Sequence, residues 1–134
     1  GVATYIKQLR PEIKIIAVES DDAACLDAAL KAGERVVLDQ VGIFADGTAV
    51  AQIGEETFRL LKDLVDEVIT VSTDEICAAI KDVYNDTRAI CEPSGALGTA
   101  GLKKYVEKHG EPLYDLINNS VETSRKYGCL HRAV

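Results

Sequence analysis

The residues best suited to do chemistry lie in one short stretch, Glu92-Pro93-Ser94-Gly95, which leads into a helix poor in side chains. A carboxylate and a hydroxyl two residues apart can accept or donate hydrogen bonds and hold protons. Pro93 disfavours helix at Glu92, and Ser94 is predicted to cap a helix that continues to about Lys108. The sequence therefore predicts a polar turn at a helix start, where backbone N–H groups lack partners within the helix.

Three glycines follow one another at a spacing of three residues, at positions 95, 98 and 101. This spacing places them along one side of the helix, where each glycine costs about 1 kcal/mol relative to alanine. Close approach of another backbone would offset this cost, and so would a flat ligand lying on a surface without side chains. The sequence leaves both explanations open.

A second irregular stretch covers residues 41–50, where no helical or strand periodicity persists. It contains two glycines, Gly42 and Gly47, on either side of Phe44 and Asp46. Glycine lets a turn bring its backbone close to a neighbour, so the stretch is predicted to be a loop able to lie against a ligand.

The two candidate stretches must be positioned by the elements around them. The first predicted elements are a helix closed by Pro11, a strand over 13–18, and a helix with its N-cap and acidic first turn at Ser20-Asp21-Asp22 and its end at Gly33. A helix from Glu55 through Val65 and a strand over 67–71 follow. The last predicted elements are a helix behind a Ser72–Glu75 capping box, a strand over 88–91 and the final helix. This alternation indicates an α/β fold with a parallel sheet flanked by helices. Such sheets bind ligands beyond the carboxyl ends of their strands, where both stretches are expected to lie.

Metal and thiol chemistry have little support in the sequence. The four cysteines are far apart and the two histidines lie near the end of the chain, so no zinc site is predicted. Cys25 and Cys77 are predicted to be small buried apolar residues on helices. Glu19, at the end of a predicted strand, could contact a metal or a ribose, or could stabilise the start of the next helix.

Composition excludes several classes of protein. The 134 residues carry a net charge of −7 with 5% aromatic residues and no basic cluster, which argues against nucleic-acid binding. No apolar run is long enough to span a membrane and no signal sequence opens the chain, so a soluble cytoplasmic or organellar protein is expected. The helical spacing begins at once, without an initiator methionine, which suggests a piece of a longer protein.

Six segments follow one another with unbroken spacing over about residues 1–108. They are residues 5–9 (YIKQL), 16–19 with 24–26 (IAVE and ACL), 41–47 (VGIFADG), 53–59 (IGEETFR), 74–82 (DEICAAIKD) and 92–97 (EPSGAL). In combination they resemble biosynthetic threonine dehydratases.

The resemblance implies the fold-type II architecture of pyridoxal phosphate (PLP) enzymes, which is also that of the tryptophan synthase β chain. It implies that PLP lies at the carboxyl ends of the strands. The residues that resemble the cofactor side of the family are Ala45, Asp46, Gly47, Glu92, Ser94 and Gly95. The family's Schiff-base lysine and glycine-rich phosphate loop have no counterpart here. No catalytic residue and no metal site are therefore assigned to this chain, which is expected to be inactive alone.

The reaction implied by the resemblance is deamination of L-threonine to 2-oxobutanoate and ammonia, the first step of isoleucine biosynthesis. L-Threonine and L-serine are the implied substrates, a homo-oligomer (a tetramer in the family) is the implied assembly, and no nucleic-acid or membrane partner is expected. Glu92 could tune proton transfers at the cofactor ring or could accept from local N–H groups.

Two alternatives stay open. A related fold-type II enzyme such as serine racemase shares Gly47 and Glu92, although Ala24 stands where the metal-binding pattern of serine racemases has an aspartate. A non-catalytic α/β fragment that retains only the fold is the second. Residues 1–110 are interpreted as a segment of the catalytic domain, and residues 111–134 as a divergent tail.

Overall fold

The computed structural model describes residues 1–110, which form five α-helices, two β-strands and two short 3-10 turns. The elements are α1 (Val2–Leu9), β1 (Ile16–Ser20), a 3-10 turn (Asp21–Ala23), α2 (Cys25–Ala32), a 3-10 turn (Asp46–Thr48), α3 (Glu55–Leu61), β2 (Glu67–Val71), α4 (Thr73–Thr87) and α5 (Pro93–His109). The sequence-based interpretation of the tail concerns residues outside this range.

The two strands pair in parallel, with Ile16 opposite Glu67 and Ser20 opposite Val71. Their residues are mostly apolar and β-branched, which suits a sheet covered on both faces. Helices cover both faces, so the predicted α/β architecture with a parallel sheet is confirmed.

Helices α4 and α5 pack on one face of the sheet. The core there includes Ile69 and Val71 from β2, Ile76 from α4 and Leu97 from α5, and Val71 and Ile76 are completely buried. Ala45, which lies far away in sequence from these residues, joins the same core. The irregular loop around residue 45 is thus tied to the α4 and α5 side of the sheet.

The start of α4 is fixed by the predicted capping box. The Ser72 hydroxyl accepts from the Glu75 N–H at 3.3 Å, and the Glu75 carboxylate accepts from the Ser72 N–H at 2.6 Å. Burial raises the pKa of the Glu75 carboxyl, but the Ser72 N–H and the ammonium of Lys104 lower it by more, so the net pKa lies below its usual value. The polar atoms of the capping box thus all have hydrogen-bond or ion-pair partners.

The opposite face of the sheet packs against α2 and α3, through a core formed by Cys25, Leu26, Ala29 and Ile53. Glu19 binds the start of α2, because its carboxylate accepts from the N–H groups of Leu26 and Asp27, both at 2.8 Å. Of the alternatives for Glu19, the structure thus supports the helix start. Burial, together with the charge of Glu19, raises the pKa of the Cys25 thiol.

Several predicted boundaries were wrong. The first strand runs over Ile16–Ser20 rather than 13–18, and the Ile15 N–H is bonded to the Asp66 carboxylate instead of to a strand. Ser20 does not cap α2, because a 3-10 turn intervenes and the Ser20 hydroxyl donates to the carboxylate of Asp22. α3 ends at Leu61, before the predicted Val65.

Two further predictions were wrong at and beyond α4. Residues 88–91 form no strand, because Arg88 takes the left-handed conformation that ends α4. Its guanidinium then bonds the carbonyls of Tyr84 and Asn85. Cys77 is exposed rather than buried, since it lies one residue, and so about 100° around the helix, from the buried Ile76.

Helix α5 runs antiparallel to the strands. Lys108 and His109, at its end, bind the carboxylate of Glu67, the first residue of β2, at 2.7 and 3.1 Å. In its middle, a Cβ added to Gly101 would overlap the methyl groups of Val18 in β1. The start of α5 therefore lies toward the carboxyl ends of the strands, where ligands bind in sheets of this kind.

Candidate functional site

The site begins at the start of α5. Glu92 is the N-cap residue, Pro93 occupies the first helical position, and no side chain caps the helix. The prediction that Ser94 caps α5 was wrong, because Ser94 is already the second residue of the helix. Proline is favoured at a first helical position, where a missing N–H costs nothing. The N–H groups of Ser94 and Gly95 have no acceptor within the helix.

The second part of the site is the turn at Asp46–Thr48. The carbonyl of Ala45 accepts from both the N–H and the hydroxyl of Thr48, each at 3.0 Å. Ala45 itself is only 2% exposed and belongs to the core. One buried residue thus anchors the turn, while Asp46 and Gly47 face outward and are exposed.

Gly47 lies directly against the start of α5. A Cβ built on Gly47 would come within 2.9 Å of the Ser94 hydroxyl oxygen, 3.2 Å of Ser94 Cβ and 3.4 Å of Glu92 Oε1. Real Cβ atoms essentially never come closer than 3.0 Å to such a neighbour. A side chain at position 47 would therefore require Ser94 or the turn to shift.

The structure brings together Gly47, Glu92 and Ser94. Gly95 is exposed beside them, and a Cβ added there would be 3.6 Å from the Glu92 side chain, an ordinary contact. The side chain of Ala45 lies in the core, so only its backbone could meet a ligand. The cofactor-binding role of all six predicted residues stays a prediction.

The Ser94 hydroxyl is the unusual atom of the site. It is shielded from solvent and has no hydrogen-bond partner among residues 1–110. An unpaired buried hydroxyl costs free energy, and most buried polar side chains in proteins have a partner. A second such atom, the hydroxyl of Thr4, lies in α1.

The three glycines of α5 serve different purposes. Gly101 allows the close contact with Val18, as the helix-on-sheet explanation predicted. Gly98 has no atom within 4 Å of its missing Cβ and lines a cavity of about 520 Å³, together with Ile16, Val18 and Tyr105. This cavity lies beside the middle of α5, away from the turn at Asp46–Thr48.

Thr48 contributes to the candidate site but was not predicted from the sequence. Its hydroxyl closes the turn that presents Gly47 to α5. Asp46-Gly47 is a turn signal and a threonine hydroxyl can bond nearby backbone, so the sequence could have indicated this role.

Within residues 1–110, no three or more His, Cys, Asp and Glu side chains are grouped so that they could hold a metal ion. None of the helices in the same range is both long enough and apolar enough to cross a bilayer.

The sequence has close relatives among known proteins. A model of the pyridoxal-phosphate dependent enzyme family (PALP) matches residues 1–112. The biosynthetic L-threonine dehydratase IlvA of Pasteurella multocida is 57% identical over 123 residues, which cover 90% of this chain and 24% of the relative. The mitochondrial threonine dehydratase of Saccharomyces cerevisiae is 58% identical over 106 residues, covering 79% of this chain and 18% of the relative. The chain thus spans about a quarter or less of these relatives' length.

Solved structures agree with this relationship. The processed form of threonine deaminase isoform 2 from Solanum lycopersicum superposes with a TM-score of 0.80 at 48% identity, covering 81% of this chain and 32% of that one. Maize serine racemase superposes with a TM-score of 0.71 at 36% identity, and the match covers 75% of this chain and 31% of that one. These similarities confirm the predicted fold-type II architecture and the resemblance to biosynthetic threonine dehydratases. The chain belongs to the family of pyridoxal-phosphate dependent enzymes.

Proposed function

We propose that residues 1–110 form part of the catalytic domain of a PLP-dependent threonine dehydratase, which deaminates L-threonine to 2-oxobutanoate and ammonia. The observation that carries the proposal is the contact of Gly47 with Glu92 and Ser94 at the carboxyl-end side of the sheet. The 57% identity to a biosynthetic threonine dehydratase supports the choice of reaction.

The residues of this site are compatible with a planar ligand such as PLP. The missing side chain of Gly47 and the short side chain of Ser94 leave the turn and the helix start without bulk. The Ser94 hydroxyl lacks a partner and could donate to a ligand atom. The N–H groups of Ser94 and Gly95 point out of the helix start and add further donors.

When bound, PLP accepts the electrons released at the Cα of the amino acid, and this lets the β-hydroxyl leave. The residues of this chain would bind and orient the ring. Glu92 would hold or release a proton at Oε1, and Gly47 would keep side-chain bulk away from that carboxylate. The lysine that removes the Cα proton in such enzymes has no counterpart assigned in this chain, so residues 1–134 alone are expected to be inactive.

Serine racemase is the related alternative, and the geometry of Glu19 disfavours it. Both carboxylate oxygens of Glu19 are occupied by the N–H groups of Leu26 and Asp27. The acidic pattern expected for a metal-binding racemase is further broken at Ala24. The alternative from a different class is a non-catalytic α/β fragment. If it is correct, no substitution at the site should change the rate of threonine deamination.

Other attributes follow from the same proposal. We expect the complete enzyme to act in isoleucine biosynthesis, to accept L-serine besides L-threonine and to assemble as a homo-oligomer. A cytoplasmic location is proposed for the complete enzyme, although the relatives from Saccharomyces cerevisiae and Arabidopsis thaliana are named as mitochondrial and chloroplastic.

A hybrid enzyme tests the proposal directly. Residues 1–110 of this chain would replace the matching stretch of the Pasteurella multocida enzyme, so that the remainder of the catalytic domain is supplied. We expect the hybrid to form 2-oxobutanoate and ammonia from L-threonine, with no appearance of D-serine from L-serine. The isolated chain, measured in parallel, should form neither product.

A matched variant gives the control. Gly47→Val in the hybrid should abolish activity, because its side chain would overlap Ser94 and crowd Glu92 at the start of α5. Gly98→Ala, which adds a methyl group where nothing lies within 4 Å, should leave activity unchanged. A folded hybrid that does not deaminate threonine would reject the proposed reaction, and equal activity of the Gly47→Val hybrid would reject the proposed site.

A further inference from the structure

We propose that Ala45 is a positioning residue of the candidate site, which acts through the turn at Asp46–Thr48 and not by touching the cofactor. This inference rests on the proposed function and deepens it. The resemblance to threonine dehydratases implies that Ala45 is one of the cofactor-binding residues. Its side chain instead fixes, from inside the core, how the turn lies against the start of α5.

The side chain of Ala45 has no surface to offer a ligand. Ala45 is 2% exposed and belongs to the same core as Ala96 and Leu97 of α5. The next two residues, Asp46 and Gly47, are exposed. The chain thus passes from the core to the candidate site within one residue. Because interiors are close-packed, a change in the packing of Ala45 must also shift the turn.

The carbonyl of Ala45 ties the far end of the turn to the same residue. It accepts from the Thr48 N–H and from the Thr48 hydroxyl, each at 3.0 Å. Both ends of the turn are therefore held at Ala45, one by the peptide bond to Asp46 and the other by Thr48. A turn of three residues held at both ends moves only when Ala45 moves.

The place of the turn matters because the turn meets Glu92. A Cβ built on Gly47 would be 2.9 Å from the Ser94 hydroxyl oxygen and 3.4 Å from Glu92 Oε1, so the turn lies close to both residues. In the proposed function, Glu92 holds or releases a proton. A misplacement of about 1 Å can cost on the order of 100-fold in rate. Ala45 therefore acts on the reaction through the placement of Glu92.

Two variants with the same added bulk separate positioning from stability. Ala45→Val and Ala29→Val each add two methyl groups to a buried position, and Ala29 lies in the core on the opposite face of the sheet, with 0% exposure. Overpacking destabilises a well-packed core wherever it occurs. We therefore expect both variants of the 134-residue chain to melt at a lower temperature than wild type.

Hydrogen exchange in the 134-residue chain gives a readout that needs neither cofactor nor activity. Because the Thr48 amide is bonded to the Ala45 carbonyl, Ala45→Val should speed its exchange about fivefold or more, and Ala29→Val less than about twofold. Nuclear magnetic resonance measures this amide. Equal exchange rates of the Thr48 amide in the two variants would overturn the inference.

The hybrid enzyme gives the kinetic readout, at a temperature at which both variants are folded. Ala45→Val should lower kcat for L-threonine about tenfold or more and change KM less than about threefold, because the turn meets Glu92. Ala29→Val should keep kcat within about twofold of the unmutated hybrid. Equal kcat values in the two variant hybrids would mean that Ala45 only stabilises the fold, against the inference.

Ala45→Gly keeps the inference testable if Ala45→Val does not fold. It removes the buried methyl group without adding bulk, and it should lower kcat more than Ala29→Gly does, although glycine at position 29 costs stability within a helix. The opposite order would also overturn the inference. An unmutated hybrid without activity would reject the proposed function, whereas the exchange rate of the Thr48 amide would still decide whether Ala45 places the turn.

Discussion

The starts of α4 and α5 contain similar residues but differ in whether those residues are hydrogen-bonded. At α4, Ser72 and Glu75 exchange hydrogen bonds and every polar atom of the box has a partner. At α5, Glu92 and Ser94 also place a carboxylate and a hydroxyl at a helix start, but no side chain caps the helix and the hydroxyl bonds nothing within residues 1–110. We call the start of α4 closed, because its capping groups are hydrogen-bonded to each other, and the start of α5 open, because no side chain caps it.

The difference between the two starts separates stability from function. A closed start stabilises its own helix, because backbone N–H groups that would otherwise lack acceptors are bonded. An open start gives up that stabilisation and leaves donors available to a ligand. The open start is also the one that meets Gly47 from a distant loop, so both observations point to the same end of α5.

A second closed start extends the comparison. Glu19 reaches from β1 to α2 and accepts from two backbone N–H groups at 2.8 Å. α2 has no side-chain cap of its own, and Glu19 takes the place of one. In this molecule, therefore, a helix start can be closed from within the helix or from the neighbouring strand.

The largest effect is expected from opening the start of α2. Glu19→Ala should lower the free energy of unfolding by about 2–3 kcal/mol, because hydrogen bonds to a charged group contribute about 1.5–3 kcal/mol and two partly buried N–H groups lose their acceptor. Urea unfolding followed by circular dichroism measures the change.

Glu56→Ala is the matched control for this prediction. Glu56 lies in the first turn of α3 and, among residues 1–110, pairs with Arg59 on the exposed surface, so its loss should cost much less than the loss of Glu19. Equal effects of Glu19→Ala and Glu56→Ala would show that the carboxylate of Glu19 does not hold α2.

The sequence predicted the closed start of α4 well because every contact there is local. The capping box spans four residues, and β2 was predicted with its observed bounds from one apolar run. Local patterns failed where a distant partner decides the outcome. Ile15 was placed in a strand, but its N–H is bonded to Asp66, 51 residues away.

The candidate site was only partly predictable for the same reason. The rule that ligands bind at the carboxyl ends of parallel strands suggested that the two irregular stretches share an edge of the sheet. It could not tell that Gly47 in particular meets Ser94, since this contact depends on the packing of Ala45 in the core. The wrong cap at Ser94 was avoidable, because a proline at the first helical position indicates that the helix begins there.

The next largest effect compares the two serines directly. Ser72→Ala should lower the free energy of unfolding by about 1 kcal/mol, the usual cost of losing a serine cap. Ser94→Ala should instead leave it unchanged or raise it, since no bond is lost and an unpaired hydroxyl is removed. The same urea experiment measures both variants, and a loss of stability of similar size in both would remove the distinction between the closed and the open start.

An effect no larger than that of Ser72→Ala is expected at the contact between the turn and α5. Gly47→Ala should cost about 1 kcal/mol, at the low end for an overpacked contact, because the new methyl group would lie 2.9 Å from the Ser94 hydroxyl oxygen. Gly95→Ala, two residues into the open start, should be neutral or stabilising by up to about 1 kcal/mol, because its methyl group would meet nothing closer than 3.6 Å.

A double-mutant cycle shows whether the cost comes from this contact. In the Ser94→Ala background the hydroxyl oxygen is gone, and the closest remaining atom of residue 94 is Cβ, 3.2 Å from the new methyl carbon, so only a small shift is needed. Gly47→Ala should then cost less than half as much as in wild type. Residues in contact are expected to couple in this way, whereas distant residues give additive effects. Additive costs would mean that the turn at Asp46–Thr48 does not touch the start of α5 in solution. The two parts of the candidate site would then not lie together.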